Sequence, residues 1–533
     1  MTNLRTVMPI TRIISPKTPR HNSNPNCSPK HLCLSLFNSI STMRQLLQIH
    51  SYLLTSGLLF TDKFLVSETL RFCSLHPSGD LSHARALLLR CPTPMSSSWN
   101  HVIRGLCFNS FSADAVDVFL EMRRRQEATP NELTYPFVIK SCSELQDICV
   151  GRQVHADSIK NAVESVVYVG NTLMHLYGFF GEVHDARRMF DLMSQKTLIS
   201  WNTILNVYVG SLMMEEAMEI FGKIIDSNLV LDHTTYLILL SAASLMGSLG
   251  LGMWVHSQII YREIEACMKL GTALVHMYAK CGALDFASMK FERMVVKNVW
   301  TWTAMILGFA QHGCAHEALK LFKKMKKSSI EPNYVTFLGV LCACSHAGLV
   351  EDSHRFFHEM AHVHNIKPEM SHYSAMVDVL GRKGLLLQAY NFIKNMPLDP
   401  DAVVWRTLLN ACQLHINGDG HSVGEAAMKV LLELEPNRCG NYVIVANMYS
   451  ELGSWEEAAK VRRIMREEGL KKIAGESCIE ISGSNYRFLS GYDFSIESKG
   501  IYQLIYGMNL NMKKIELADF DTFIQLQNLL FEN

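Results

Sequence analysis

A tryptophan-centred stretch returns in this chain at a nearly constant long interval, and that interval limits the fold more than any local motif. Ser98-Trp99-Asn100, Ser200-Trp201-Asn202, Thr301-Trp302-Thr303 and Val404-Trp405-Arg406 are one element read four times, with tryptophans 102, 101 and 103 residues apart. Tyr135, Tyr236 and Phe337 keep a 101-residue step, and His175-Leu176-Tyr177 returns as His276-Met277-Tyr278 at the same distance. A fixed period over most of a chain means stacked repeats. Each step divides again into units of about 31 to 36 residues.

Each unit reads as two apolar-periodic segments joined by a short polar or glycine turn. In 198–232 the first segment runs from Trp201 to Val209, and the turn falls at Gly210-Ser211. The second runs from Glu215 to Ile225, with Ala217, Ile220, Phe221 and Ile224 on one helical face. Neither helix can bury its stripe alone, so neighbouring pairs must stack. The expected fold is an all-α solenoid with a concave groove, and no strand pattern interrupts it before residue 478. The period alone would equally suit tetratricopeptide or HEAT-type repeats.

With 533 residues, 48% hydrophobic and 19% charged, the chain is globular and too long for one ordinary core. Its net charge of +0 announces no nucleic-acid partner, so any basic surface must be local. The 15 cysteines follow no framework spacing, which favours reduced thiols over disulfides. No apolar run reaches the length of a membrane span. Residues 1–61 contain no Asp or Glu but carry Arg5, Arg12, Lys17, Arg20 and Lys30 among Ser, Thr, Asn and Pro. That is the composition of an organellar transit peptide, expected over 1–27, for the mitochondrion or alternatively the chloroplast.

The residues decide between repeat types. Val299-Trp300-Thr301-Trp302-Thr303-Ala304-Met305-Ile306, continuing through Glu317-Ala318-Leu319 and Leu321-Phe322 to Glu331-Pro332-Asn333, closely resembles a pentatricopeptide repeat, as does 198–232. The alternating lengths resemble the plant subclass in which P, L and S units rotate. On that resemblance, P units are 96–131, 198–232 and 299–333. L units are about 28–62, then 132–166, 233–267 and 334–369. S units are 63–95, 167–197, 268–298 and 370–401. Residues 402–481 resemble the family's E region, with units at 402–437 and 438–472 and a tail. Residues 482–533 are a weaker match to its E-plus extension and lack that extension's usual His-Pro.

The resemblance implies a right-handed superhelix that reads single-stranded RNA one base per unit, through the fifth and last residues of each unit. Carried onto this chain, the pairs are Asn100 with Asn131, Asn171 with Thr197, Asn202 with Asp232, Thr272 with Asn298, Thr303 with Asn333, and Ser374 with Asp401. These residue types also favour helix caps and turns, so any one pair alone is uninformative. Six pairs in one register favour readout. The L units place Pro136, Leu237 and Leu338 at the fifth position, where no base edge can be hydrogen-bonded. The family's code then implies, from unit 96 to unit 370, the order pyrimidine, any, pyrimidine, U, any, A, A, any, G. Ser67 with Met95, and Asn171 with Thr197, fit that code poorly.

The same resemblance implies a C-to-U editing site-recognition factor in an organelle. Full-length factors of the subclass end in a deaminase-like domain named for Asp-Tyr-Trp. Zinc deaminases need His-x-Glu and Pro-Cys-x-x-Cys. Neither pattern occurs here: none of the 22 His has Glu two places on. The chain is therefore expected to have no catalytic residue, metal or cofactor, and to take no small-molecule substrate and no membrane as partner. It would recruit a DYW-type deaminase in trans through the E region. The rivals are an RNA stability, splicing or translation factor, and a tetratricopeptide-like protein scaffold.

Three further motifs have plainer readings. His358-Glu359-Met360-Ala361-His362 matches the zincin pattern, but it lies on the second helix of a unit and no third ligand stands in the expected place. Cys342-Ala343-Cys344 occupies a place where small core residues are expected, as Ser241-Ala242-Ala243 does one step earlier. Lys320, Lys323, Lys324, Lys326 and Lys327 are expected on a solvated face away from the groove.

Overall fold

The computed structural model describes residues 29–489, apart from 228, 265–266, 416–419, 452, 471–475 and 482–483. The expected leader at 1–27 and the part of the expected extension beyond 489 lie outside the described residues. The chain divides into two compact units, Met1–Leu231 and Asp232–Asn533.

The first unit is helical throughout its described residues. Its elements are α1 (Pro29–Phe37), α2 (Met43–Thr55), α3 (Leu58–Thr61), α4 (Lys63–Leu75), α5 (Leu81–Arg90), α6 (Ser96–Phe108), α7 (Ser112–Arg125), α8 (Tyr135–Glu144), α9 (Ile148–Lys160), α10 (Val167–Phe179), α11 (Val183–Leu192), α12 (Leu198–Gly210) and α13 (Met214–Asp226). The second continues with α14 (His233–Met246), α15 (Leu249–Tyr261), α16 (Met268–Lys280), α17 (Leu284–Arg293), α18 (Val299–Gln311), α19 (Ala315–Lys327), α20 (Tyr334–Ala347), α21 (Val350–His362), α22 (Met370–Arg382), α23 (Leu386–Lys394), α24 (Ala402–Leu414), α25 (Gly420–Leu434), α26 (Cys439–Glu451) and α27 (Trp455–Glu467).

Within each unit the first helix of a pair packs on its own second helix and on the first helix of the next pair. The sequence explains the two layers. Second helices are amphipathic: α13 buries Ala217, Ile220, Phe221 and Ile224, and α19 buries Ala318, Leu321, Phe322 and Met325. First helices are apolar nearly all round, and α18 buries Trp302, Ala304, Met305 and Ile306 between its neighbours. Close approach in that row requires small residues. A Cβ on Gly308 would stand 2.6 Å from Ala279 Cβ, and one on Gly178 would stand 2.3 Å from Val207 Cγ2. The array is an all-α stack of helix pairs.

Two local features differ from expectation. In 198–232 the helix runs through Gly210, and the left-handed turn residue is Leu212, at φ 59°. Other pairs place glycine at that turn, for example Gly282 and Gly313. After α27 the described residues also contain an antiparallel hairpin, β1 (Glu476–Ile481) with β2 (Ser484–Leu489), registered from Glu476↔Leu489 to Ile481↔Ser484. It begins two residues before the earliest expected strand position and extends into the segment assigned to the extension. Upstream of it, helices α22 to α27 share one hydrophobic core, in which Leu380, Trp405, Leu408, Leu431 and Met448 meet.

Polar pairs, one buried and one part-buried, join second helices to first ones. His256 on α15 lies 2.8 Å through Nδ1 from the Tyr278 hydroxyl on α16, and His155 on α9 repeats the contact with Tyr177 on α10 at 2.6 Å. Burial, and secondarily the charge of Lys290, pushes the His256 pKa down to about 4. A depressed histidine pKa means the unfolded chain binds the proton more readily, so stability is present above the unfolded value of about 6.5 and is lost as pH falls towards 4. His256 should remove about 2 kcal/mol between pH 7 and pH 5. Urea unfolding at both pH values checks this, and His256→Gln should lessen the difference.

Candidate nucleic-acid interface

Three of the six paired positions come together at the starts of first helices, each within one compact unit. The fifth residue of a unit sits just inside its own first helix, and the last residue sits at the N-terminus of the next. Asn298, Asn333 and Asp401 are the N-caps of α18, α20 and α24, and their side-chain Oδ1 atoms accept the backbone N–H of Thr301, Thr336 and Val404 at 3.0, 2.9 and 3.0 Å. Asn131, ahead of α8, accepts the Leu133 N–H at 3.1 Å. The first three are ordinary caps, satisfying donors that a helix start leaves open, and Asn131 closes the turn that leads into α8.

The caps also reach the preceding unit. Asn100 Nδ2 donates to Asn131 Oδ1 at 3.0 Å, and the Thr134 hydroxyl donates to Asn100 Oδ1 at 2.6 Å. In the second unit, Thr272 and Thr301 hydroxyls lie 2.7 Å apart, and Thr301 donates to Asn298 Oδ1 at 2.9 Å. Thr303 and Thr336 repeat this at 2.7 Å, with Thr336 donating to Asn333 Oδ1 at 2.9 Å. Each of these three pairs is thus joined directly or through one hydroxyl.

Capping decides which polar atoms face outward. Each cap uses Oδ1 inward, which turns an asparagine's Nδ2 donors, or an aspartate's second acceptor oxygen, to the opposite side. The fifth residues Asn100 and Thr303 are buried, whereas Asn131, Asn298 and Asn333 are half-buried and Asp401 is exposed. In the Asn100–Asn131 and Thr303–Asn333 pairs the last residue therefore presents the more accessible polar edge, whereas Thr272 and Asn298 are both half-buried.

The remaining pairs differ. Asn202 lies buried on α12 and Asp232 caps α14 through the Thr235 N–H at 2.8 Å; the two belong to different compact units. Thr197 caps α12 together with Ser200, their hydroxyls 3.2 Å apart, and the buried Asn171 Oδ1 has no partner among the described residues. Such an orphaned acceptor costs about 1–3 kcal/mol unless a donor meets it. Ser374 lies 3.4 Å from the Thr407 hydroxyl on α24, and Asp401 has Val404 where the other boundaries have a hydroxyl. In unit 402–437 the fifth position is Arg406, held by Asn441 Oδ1 at 3.2 Å and paired with Glu435.

Sequence reasoning passed over a set of exposed apolar side chains beside these pairs. Tyr168, Ile199 and Trp300 are 74%, 62% and 54% exposed. Each stands three residues before a fifth position, so it shares that residue's helical face. Aromatic and branched side chains so placed offer flat apolar contact to a stacked base. The signal was available: a large apolar residue at the outset of a first helix, next to a polar one three places on. An open concavity at α6, α8 and α10 combines both kinds of group, lined by Asn100, Arg104, Asn131, Phe137 and Tyr168.

The other motifs resolve into structure. Glu359 takes Lys326 at 2.7 Å and His364 at 3.5 Å, and the rings of His358 and His362 stack on each other 3.9 Å apart. Among the described residues no group of three His, Cys, Asp or Glu side chains could hold a metal ion. Cys344 is buried and its thiol is pushed up to about 12 by desolvation. Lys324 pairs with Glu292 at 2.8 Å on a neighbouring second helix, so part of the basic run faces acidic partners in its own layer.

Comparison with known proteins bears on the family and the fold. Residues 97–126, 171–198, 199–229, 272–299, 335–362 and 371–399 match the PPR repeat, 297–346 the PPR repeat family, and 420–480 the E motif. The chain is 50% identical over 479 residues to a pentatricopeptide repeat-containing protein of Arabidopsis thaliana, covering 90% of this chain and 95% of that one. A second Arabidopsis relative, named chloroplastic, is 34% identical over 95% of this chain and 59% of its own length. A third, named mitochondrial, is 36% identical over 82% and 67%. The crystal structure of the pentatricopeptide repeat protein PPR10 from maize superimposes with a TM-score of 0.52 at 17% identity, over 82% of this chain and 63% of that chain.

The cap geometry has a direct consequence. Asn333→Ala should destabilise the chain by about 1 kcal/mol in urea unfolding, while Asn333→Asp, which still caps, should change it little.

Proposed function

The chain belongs to the pentatricopeptide repeat family, and we propose that it binds single-stranded organellar RNA by sequence and marks a cytidine for C-to-U editing. The observation that supports this most is the recurrence of one polar pair, fifth residue with last, at successive first-helix starts. The chemistry of the outward atoms favours base readout. An asparagine Nδ2 donates to the ring-nitrogen acceptor on the pairing edge of cytosine or adenine. An aspartate oxygen accepts the ring N–H of uracil or guanine. On this reading Asn131, Asn298 and Asn333 select C or A, and Asp232 and Asp401 select U or G. Small fifth-position hydroxyls at Thr272, Thr303 and Ser374 leave room for a purine. Asn100, Asn171 and Asn202 suit a pyrimidine, with Thr197 completing the pair at Asn171. The base order follows as pyrimidine, any, pyrimidine, U, any, A, A, any, G, with the L units as spacers.

Tyr168, Ile199 and Trp300 then serve as stacking surfaces. Readout ends at unit 370–401, because the next fifth-position residue, Arg406, is engaged by Glu435 and Asn441. The E region, continuous in its core with that last reading unit, is the place from which a DYW-type deaminase would be held in trans. The chain's own residues bind and position the strand and transfer no group. An organellar address is supported by the basic, acid-free N-terminal stretch and by relatives named mitochondrial and chloroplastic; we favour the mitochondrion.

Sequencing of organellar transcripts in a loss-of-function line tests this reading. The expected outcome is one or a few C sites left unedited, with upstream bases in the order above. Full editing, with a transcript end or intron removal lost instead, would reassign the chain to RNA stability, splicing or translation. No RNA phenotype would favour a protein-binding scaffold.

A further inference from the structure

We infer that the buried hydroxyl three residues past three of the reading pairs, Thr134, Thr301 and above all Thr336, is a positioning residue that sets the polarity of the base-reading pair; this rests on the RNA-reading function proposed above. Thr134, Thr301 and Thr336 are each 0% exposed, and each touches both members of a pair. A hydroxyl has one proton and two lone pairs, so its bonds can be counted.

At Thr336 the count closes. Its proton goes to Asn333 Oδ1 at 2.9 Å, and one lone pair takes the Asn333 backbone N–H at 3.2 Å. The remaining lone pair takes the Thr303 proton at 2.7 Å. Thr303 is then left with acceptor lone pairs only. Asn333 Oδ1, holding both the N–H and the O–H of Thr336, leaves Nδ2 as the outward group. The pair is fixed as one acceptor beside one donor. With the Asn333 donor at the ring nitrogen and the Thr303 acceptor at the exocyclic group, the pair complements adenine or cytosine, and guanine and uracil carry the reverse polarity at both atoms.

A cap alone does not account for this. A capping box needs only the exchange between Asn333 and Thr336, whereas the bond to Thr303 joins a helix 33 residues away. The sequence pattern agrees. Where the preceding fifth residue is apolar, at Pro136 and Leu237, the corresponding positions are Val169 and Leu270, with no hydroxyl. The last reading boundary departs from the pattern: Val404 stands in the hydroxyl's place, and Ser374 has only the longer contact to Thr407.

The test uses the full chain and RNAs that differ only in the base opposite unit 299–333. Binding to the A and G versions and thermal melting are measured for wild type, Thr336→Val and Thr336→Ser. Wild type should prefer A. Thr336→Val should reduce the A-over-G ratio about 3- to 10-fold, the effect of one lost orienting hydrogen bond, and Thr336→Ser should restore it. If Thr336→Val weakens both RNAs by the same factor, the hydroxyl is only a cap and the inference falls. A wild type with no base preference overturns the RNA-reading function instead. Should Thr336→Val fail to fold, Val404→Thr decides: it should sharpen the preference for G over A opposite unit 370–401, and an unchanged ratio overturns the inference.

Discussion

The first helices pack so closely that little besides apolar or very small side chains fits between them, and the polar clasp at their N-termini is the interaction that sets their register. Gly308 against Ala279 shows how tight the row is. Into that row the boundaries at Thr134, Thr301 and Thr336 each insert one hydroxyl and one polar side chain from the end of the preceding unit, which find their partners within two neighbouring pairs. Stability in a stacked array is a sum over nearest neighbours, so a clasp repeated at these three boundaries supports local register without long-range contacts.

The clasp also explains how structural and functional demands coexist on one side chain. A cap residue uses one oxygen for the helix and keeps the rest of its planar group for the outside. Exchanging amide for carboxylate preserves the cap and inverts the outward polarity. Sequence specificity can therefore change along the array without rebuilding the stack. The fifth residue, largely buried, contributes size and orients its partner.

Much of this was legible before any coordinates. The 101-residue step required stacked repeats, and the face formed by Ala217, Ile220, Phe221 and Ile224 is the face α13 buries. The turn at Leu212 was not legible, because a left-handed conformation at a residue other than glycine is imposed by the surrounding packing. A strand pattern was legible only from residue 478, and the pairing of Glu476–Ile481 with Ser484–Leu489 was not, because two six-residue strands carry no sequence mark of their register. At the candidate site, residue types were visible and their exposure was not. Nothing in the sequence says that Thr303 is buried while Trp300, three residues earlier, stands half in solvent. The relay through Thr336 joins positions 33 apart, a contact that exists only once two helices are packed.

The central claim is that this row of clasps reads bases at fixed intervals, and selection of bound RNAs from a random single-stranded pool tests it most directly. The account predicts one enriched motif in which bases are specified opposite the P and S units and unconstrained opposite the L units at 132–166, 233–267 and 334–369. Enrichment of U opposite unit 198–232 and of A opposite units 268–298 and 299–333 would establish the register. No enrichment, or specified bases opposite the L units, would contradict it.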